Sequence, residues 1–273
     1  MSKQSKILAG MRVDKKDPLR LCDLNSASTQ GVKGKNEARE LLLEATLEID
    51  DLQYKLFAEA KKAVLILFQA MDTGGKDGVI RKVFGALHPQ GVTLTSFKRP
   101  TPIELARDYL WRVHAQTPAR GEMGIFNRSH YEDVLVHRVH HLVSPETLER
   151  RYRQINHFER HLTENDTVIL KFFLHISKDE QKRRLQERLD DPDKRWKFEM
   201  ADLAERKYWD SYQDAYQAIL DKCSSDHAPW YVIPADRKWY RDWAVAEIVR
   251  SELKKINPAF PKEQDGLDGI VVE

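Results

Sequence analysis

The stretch QAMDTGGKDG at residues 69–78 brings a lysine, a glycine pair and two aspartates into one turn-sized segment. Backbone N–H groups of such a turn, with the helix N-terminus behind it, hold phosphate oxygens. Lys76 adds a flexible point charge, and Gly74 and Gly75 let the backbone approach closely. The segment departs from the phosphate-loop pattern G-x-x-x-x-G-K-[ST] at both ends: Ala70 replaces the first glycine and Asp77 the hydroxyl residue. A bare GGK is equally an ordinary strand-to-helix turn with a surface lysine. The acids tip the balance. Asp72 and Asp77 would repel a lone anion, but with a hard divalent cation between them and the phosphates the set makes sense. Asp77 stands where a hydroxyl would touch Mg²⁺, so it approaches the metal directly or through water.

A second set lies in NRSHYEDVLVHR, residues 127–138, where a short strand ends. Asn127 occupies the position at which phosphate-loop proteins carry a metal-holding acid. Arg128 suits a bidentate phosphate clamp. Glu132 and Asp133 follow in the first turns of a helix, where pairing with the helix dipole alone accounts for acids. A third set is the charged helix KDEQKRRLQERLDDPDKRWK, residues 178–197, in which Arg184 and Arg188 share a face. An isolated helix of this kind is a solvated surface. Placed directly after a strand, it starts on the sheet edge that carries the loop, and an arginine-rich segment there can close over phosphates and exclude water. Lys98 and Arg99 at another strand end, with Arg81 and Lys82 on the loop's own helix, extend the positive channel. His130, His137, His140 and His141 lack a zinc pattern and read as structural. Tyr208, Trp209, Tyr212 and Tyr216 recur at helical spacing and read as core rather than a base-stacking platform.

The elements that must carry these residues alternate along the chain. Helical periodicity runs from Asn36 to Lys62, and the apolar run Ala63 to Phe68 fits a buried parallel strand. Further strands are expected at Gly91–Phe97, Gly124–Phe126, Thr167–Ile176 and Trp230–Ile233. Helices are expected at Gly78–Leu87, Pro102–Gln116, His130–Leu142, Pro145–His161, from Ser177 to the break at Asp191-Pro192-Asp193, at Met200–Lys222 and at Trp239–Ile256. Ser177 with Glu180 reads as a capping box, and Asp236 as an N-cap. Strand–helix alternation over the whole length indicates an α/β fold with a parallel sheet. Residues 1–33 read as an extended arm packed on one domain spanning 34–273, with a lid at about 178–200.

Composition sets outer limits. The 273 residues suffice for a sizeable core, and 41% hydrophobic with 32% charged residues suits a globular protein. A net charge of +2 argues against a protein that coats nucleic acid, while permitting a focused basic channel. No apolar run approaches the ~20 residues of a membrane span. Without a signal-peptide core, and with Cys22 and Cys223 in no disulfide or metal pattern, the expected location is the cytoplasm.

Five ordered segments together resemble one family. AMDTGGKDG, SFKRPTP, FNRSHYEDVLVHRV, HISKDEQKRRLQERLDDPDKRWKF and WYVIPADRKWYRDWAV, over residues 35 to 256, resemble the polyphosphate kinase 2 family. The length and the Asn-Arg-Ser-His-Tyr-Glu-Asp form look like the branch acting on both nucleoside mono- and diphosphates. The resemblance implies a phosphate-loop kinase-like three-layer fold, a parallel five-stranded sheet with helices on both faces and a helical lid. It implies reversible transfer of the terminal phosphoryl group of inorganic polyphosphate to AMP or ADP, with Mg²⁺ or, in its place, Mn²⁺, by a homo-oligomer, dimer or tetramer. By matching position, Asp72 and Lys76 are the loop's essential pair, Arg128 belongs to the second motif and Arg188 is the lid arginine. Many members have Asp where this chain has Asn127, so Asp133, helped by Asp72 and Asp77, is expected to hold the metal. Gly74, Gly75, Lys76, Lys82, Lys98, Arg99 and Arg184 are expected on phosphate or polyphosphate. Asn127, Arg128, Glu132 and Arg188 are expected on an adenine or guanine nucleotide. The rival readings are an ATP-dependent kinase of a nucleotide or other small acceptor, and a non-catalytic polyanion binder.

Overall fold

Ala63–Ala70 (β1) is buried along its whole length, which is why it reads as an unbroken apolar run. Its side chains alternate between two cores. Val64, Ile66 and Phe68 join the larger one, and Leu65 and Leu67 join a smaller one with Phe126, Leu162 and Ile169. β1 is the central strand of a five-stranded parallel sheet in the order β2-β3-β1-β4-β5. The other strands are Val92–Ser96 (β2), Met123–Asn127 (β3), Thr167–His175 (β4) and Trp230–Pro234 (β5), all where strands are expected. The computed structural model describes residues 3–14 and 19–265, with 267 and 272.

The helices are α1 (Lys3–Ala9), α2 (Lys35–Glu59), α3 (Lys76–Phe84), α4 (Pro102–Leu105), α5 (Trp111–His114), α6 (Glu132–Val139), α7 (Pro145–Glu164), α8 (Lys178–Asp190), α9 (Met200–Glu205), α10 (Trp209–Cys223) and α11 (Lys238–Ile256). α11 packs along α2 and against α3 on one face of the sheet, and α10 packs on α6 and α7 on the other. Parallel strands connected by helices bring every strand's carboxyl end, and each loop that follows it, to one edge.

Four expectations need correction. The helix expected at 102–116 is two short ones, because the Asp108 carboxylate accepts from Leu110 N (3.0 Å) and turns the chain between them. The long helix expected at 200–222 breaks at a 3₁₀ turn, Arg206–Tyr208, where Arg206 Nη1 donates to Lys178 O (2.7 Å) and Gln181 Oε1 (2.8 Å). Ser177 Oγ caps α8 by accepting from Glu180 N (3.1 Å), but the return bond of a capping box is replaced: Ser177 N donates to Asp236 Oδ1 (2.8 Å). Asp236 therefore ties β5's exit to α8 and to Ser26 Oγ (2.9 Å), and does not cap α11, which begins after Arg237 without a side-chain cap.

The N-terminal arm packs on the outer edge of the sheet. Val13 N donates to Trp230 O (2.8 Å) and Val232 N to Met11 O (2.8 Å), an antiparallel bridge that covers the free edge of β5.

Candidate active site

The loop after β1 is folded so tightly that glycine is dictated at two places. A Cβ on Gly74 would lie 2.4 Å from Ala70 Cβ and 2.8 Å from Met71 O. Gly75 has φ +99°, and a Cβ there would lie 1.9 Å from Arg241 Nη1. Thr73 also sits at positive φ (62°). α3 starts at Lys76, so the first N–H groups of the helix face the loop. Lys76 Nζ folds back onto Ala70 O (3.1 Å). Burial, followed by repulsion from Arg128, lowers its pKa from 10.5 to about 8, against the pull of Asp72, Glu132 and Asp77.

Sheet register delivers the second set. Phe68 is paired with Asn127, so the end of β3 lies beside the loop, and Arg128 N donates to Phe68 O (3.1 Å). Arg128 has φ 65°, a conformation costly for a residue with a Cβ. Its Nη2 donates to Asp72 Oδ1 (3.1 Å) and its Nη1 to Glu132 Oε2 (3.2 Å), while the side chain keeps 43% exposure. Glu132, then Asp72, raise the Arg128 pKa against the effect of burial. Asn127 Nδ2 donates to Asp77 Oδ1 (2.6 Å). With its amide turned to satisfy its neighbours, Gln69 donates to Glu132 Oε1 (2.9 Å) and accepts from Ser129 Oγ (3.1 Å). One oxygen each of Asp72 and Asp77 is therefore held by a donor, leaving the second oxygens as hard ligands beside the phosphate loop.

Asp133 does not join them. It lies buried on α6 among Arg112 and Arg151, with Oδ2 unpaired, and burial lifts its pKa to about 6. Successive helix residues point about 100° apart, so Glu132 reaches the loop and Asp133 cannot. Among the described residues no three of the His, Cys, Asp and Glu side chains gather as a ready metal site, so the expected trio of Asp72, Asp77 and Asp133 is not assembled.

The lid sequence divides in two. Arg184 is buried and braces the loop instead of standing open: Nη1 donates to Thr73 O (2.9 Å), Nη2 to Ala235 O (2.6 Å) and Nε to Glu180 Oε1 (2.6 Å). Gln181 Nε2 adds a bond to Asp72 O (3.2 Å). Arg188, one turn on, bonds Asp202 Oδ2 (3.3 Å) and Lys197 O (3.1 Å), and the segment after it leaves Trp196 and Met200 exposed. Burial and the Asp72 charge raise the Asp202 pKa to about 6. Lys82, Lys98 and Arg99 are exposed, Lys82 on the far turn of α3 and the other two beyond β2, outward of β3. Gln69, Gln181, Asp202 and Arg241 escaped the sequence reading; each belongs to a motif already quoted or its flank, but none carries a residue type that marks its target.

Two of the four clustered histidines pair with buried or half-buried acids. His130 Nε2 lies 3.3 Å from Glu159 Oε1 in the core, and His140 Nε2 lies 3.0 Å from Glu205 Oε2. Trp209 and Tyr216 are buried, whereas Tyr208 is half exposed.

Comparison with known proteins gives the family and the fold. The profile of the polyphosphate kinase 2 family matches residues 32–261. The chain belongs to the polyphosphate kinase 2 family. It is 54% identical over 240 residues, 88% of its length and 90% of the relative's, to an AMP/ADP-polyphosphate phosphotransferase of Meiothermus ruber. It is 44% identical over 246 residues, 84% of each chain, to an ADP-polyphosphate phosphotransferase of Rhodopseudomonas palustris. The crystal structure of polyphosphate kinase 2 from Arthrobacter aurescens TC1 superimposes with a TM-score of 0.93 at 46% identity, covering 97% of this chain and 94% of that one. The phosphate-loop kinase-like α/β fold is thus that of a polyphosphate kinase 2.

Proposed function

We propose that this polyphosphate kinase 2 transfers the terminal phosphoryl group of inorganic polyphosphate to AMP and ADP, reversibly, forming ADP and ATP. The observation that carries the reading is the pairing of the Lys76 loop with Arg128 across β1 and β3, in a chain 54% identical to the Meiothermus ruber AMP/ADP-polyphosphate phosphotransferase. An acceptor phosphate is already an oxyanion, so a strong general base is unnecessary. What opposes reaction is the approach of two polyanions, and positioned positive charge relieves it. Lys76 and the α3 N-terminus hold the transferred group, Arg128 clamps it against the acceptor, and Arg188 closes from α8. Asp72 and Glu132 fix the Arg128 fork, and Gln69 fixes Glu132.

A divalent cation, Mg²⁺ with Mn²⁺ as substitute, fits the residues present. Mg²⁺ is commonly bound by one or two carboxylates together with phosphates and water, and Asp72 and Asp77 would hold it here. When bound, it would supply positive charge to the phosphate oxygens. Asn127 then serves by orienting Asp77 rather than as a ligand.

The test is direct. Incubated with AMP, Mg²⁺ and either polyphosphate or ATP as donor, the protein yields ADP and ATP from polyphosphate, and chelation of the cation stops turnover. Turnover from ATP alone would sink this assignment in favour of an ATP-dependent kinase. A second expectation comes from Lys76. With a free-protein pKa of about 8, it loses its charge as pH rises, so kcat/KM falls above about pH 8. In the kcat profile the limb moves to higher pH, because bound phosphate favours the ammonium form. Lys76→Arg should remove the alkaline limb; a limb unchanged in that variant shows that another group titrates.

The same reading places the enzyme in the cytoplasm, where nucleotides are exchanged, as a homo-oligomer, dimer or tetramer. No helix among the described residues is long and apolar enough to cross a membrane. Leu43, Leu47 and Tyr54 stand exposed along one face of α2, an apolar stripe that supports self-association and that light scattering would test.

A further inference from the structure

Arg241 occupies a place that the fold alone does not explain. It lies on the first turn of α11, only 3% exposed, against the N-terminus of α3. Its Nε and Nη2 both donate to Asp242 Oδ1, at 2.8 and 2.6 Å, and Nη1 has no acceptor among the described residues. That free nitrogen fills the space where a side chain of residue 75 would stand, 1.9 Å from an ideal Cβ, and Nη2 lies 3.1 Å from the Cβ position of Gly78. Arg184 Nη1 reaches within 3.6 Å of the same point from α8, and it too is buried. Two guanidinium groups therefore converge on a helix N-terminus that is itself partially positive. The side chain is buried, but Nη1 is not among the fully enclosed unpaired atoms, so an anion at Gly75 can reach it.

The direction of approach identifies which anion. α8 follows β4 and α11 follows β5, so Arg184 and Arg241 flank the loop on the side opposite to β3, which carries Asn127 and Arg128. In-line transfer sends donor and acceptor away from the moving phosphoryl group in opposite directions. With the acceptor nucleotide on the β3 side, the donor chain leaves on the α11 side. Lys238, in the first turn of α11, continues the positive track; burial and the neighbouring Arg184, Arg183 and Arg241 charges lower its pKa.

We propose that Arg241, through Nη1 over Gly75, binds phosphates of the polyphosphate donor beyond the one transferred, and has no part in holding the nucleotide. This rests on polyphosphate being the donor. The test compares wild type with Arg241→Lys, Arg241→Met and the pair Arg241→Met/Asp242→Leu. The pair removes the buried carboxylate that a lone Arg241→Met would strand. Calorimetry gives the polyphosphate Kd without nucleotide, and initial rates give KM for polyphosphate and for AMP. A charge-assisted bond lost from a desolvated site should raise the polyphosphate Kd and KM about tenfold or more, in both Met variants, with the AMP KM unchanged and Arg241→Lys intermediate. Unchanged polyphosphate constants, or an AMP KM that rises in step, overturn the proposal. If the Met variants do not fold, Arg241→Lys is read by the same two constants. A wild type that neither binds polyphosphate nor uses it as donor refutes the functional assignment itself. A wild type active with polyphosphate whose variants keep its constants refutes only the role of Arg241.

Discussion

Lys76→Ala lowers phosphoryl transfer by about 10²–10³-fold or more, the scale for removing one preorganised group that stabilises transition-state charge, while the protein remains folded and as stable as before or more so. The second half of this expectation is the unusual one. In the free protein Lys76 donates to Ala70 O and is crowded by Arg128, and its pKa is lowered to about 8. A lysine with a depressed folded-state pKa binds fewer protons folded than unfolded between about 8 and 10.5. Stability therefore rises with pH through that window, and below it the charged amine costs roughly 3 kcal/mol. Removing the amine removes that cost. Rate assays with polyphosphate and AMP, paired with thermal melts, check both parts. Near-full activity in Lys76→Ala would remove the residue from the mechanism, and a large fall in melting temperature would mean that its charge is a structural support. Asp72→Asn should lose activity as well, because the Arg128 fork and the proposed cation both depend on that carboxylate.

Glu159→Ala destabilises the fold by about 3–5 kcal/mol, the cost of breaking a buried ion pair by removing one partner. Glu159 on α7 and Lys171 on β4 are 1% and 0% exposed. Glu159 Oε2 accepts from Lys171 Nζ (2.5 Å), and Oε1 accepts from Tyr131 Oη (2.8 Å) and faces His130 Nε2 (3.3 Å). Lys171 also donates to Cys223 O (2.6 Å) and Tyr131 Oη (3.0 Å). Burial on its own raises a carboxyl's pKa; here Lys171 and His130 more than offset it and hold Glu159 below its usual value. Without Glu159 a buried ammonium stands unpaired. The melting temperature should fall by roughly 10 °C for a chain of this size. Replacing both partners, Glu159→Leu with Lys171→Met, should recover part of the loss, leaving the Cys223 carbonyl and Tyr131 hydroxyl short of partners. A single variant that melts like wild type shows the pair to be energetically neutral. The site should feel the same change, because His130 and Tyr131 directly follow Arg128 and Ser129.

Much of this protein is legible along the chain. The buried strands announce themselves as short apolar runs, because a strand covered on both faces admits few polar side chains. The loop announces itself by glycines where a Cβ would collide and a lysine beside them. Strand–helix alternation then puts Lys76, Arg128 and Arg188 on one sheet edge without further information. Where reading stopped, the deciding quantity was a direction in space. Glu132 and Asp133 are adjacent acids of equal chemical promise, yet only Glu132 meets Arg128. Arg184 and Arg188 share a face, yet the first is consumed by backbone carbonyls and the second bonds Asp202 at the site's margin. Asp236, placed by pattern at a helix start, instead binds the backbone of Ser177, 59 residues away.

The sequence by itself determined the fold class, the order of elements, the phosphate loop and the family, since these rest on local periodicity and on residue types within a few positions of one another. Only the tertiary structure decided which acid holds Arg128, which arginine braces the loop, and that Arg241 lies against Gly75. Those outcomes depend on helix phase and on contacts between segments far apart in the chain, and neither is encoded in the spacing of neighbouring residues.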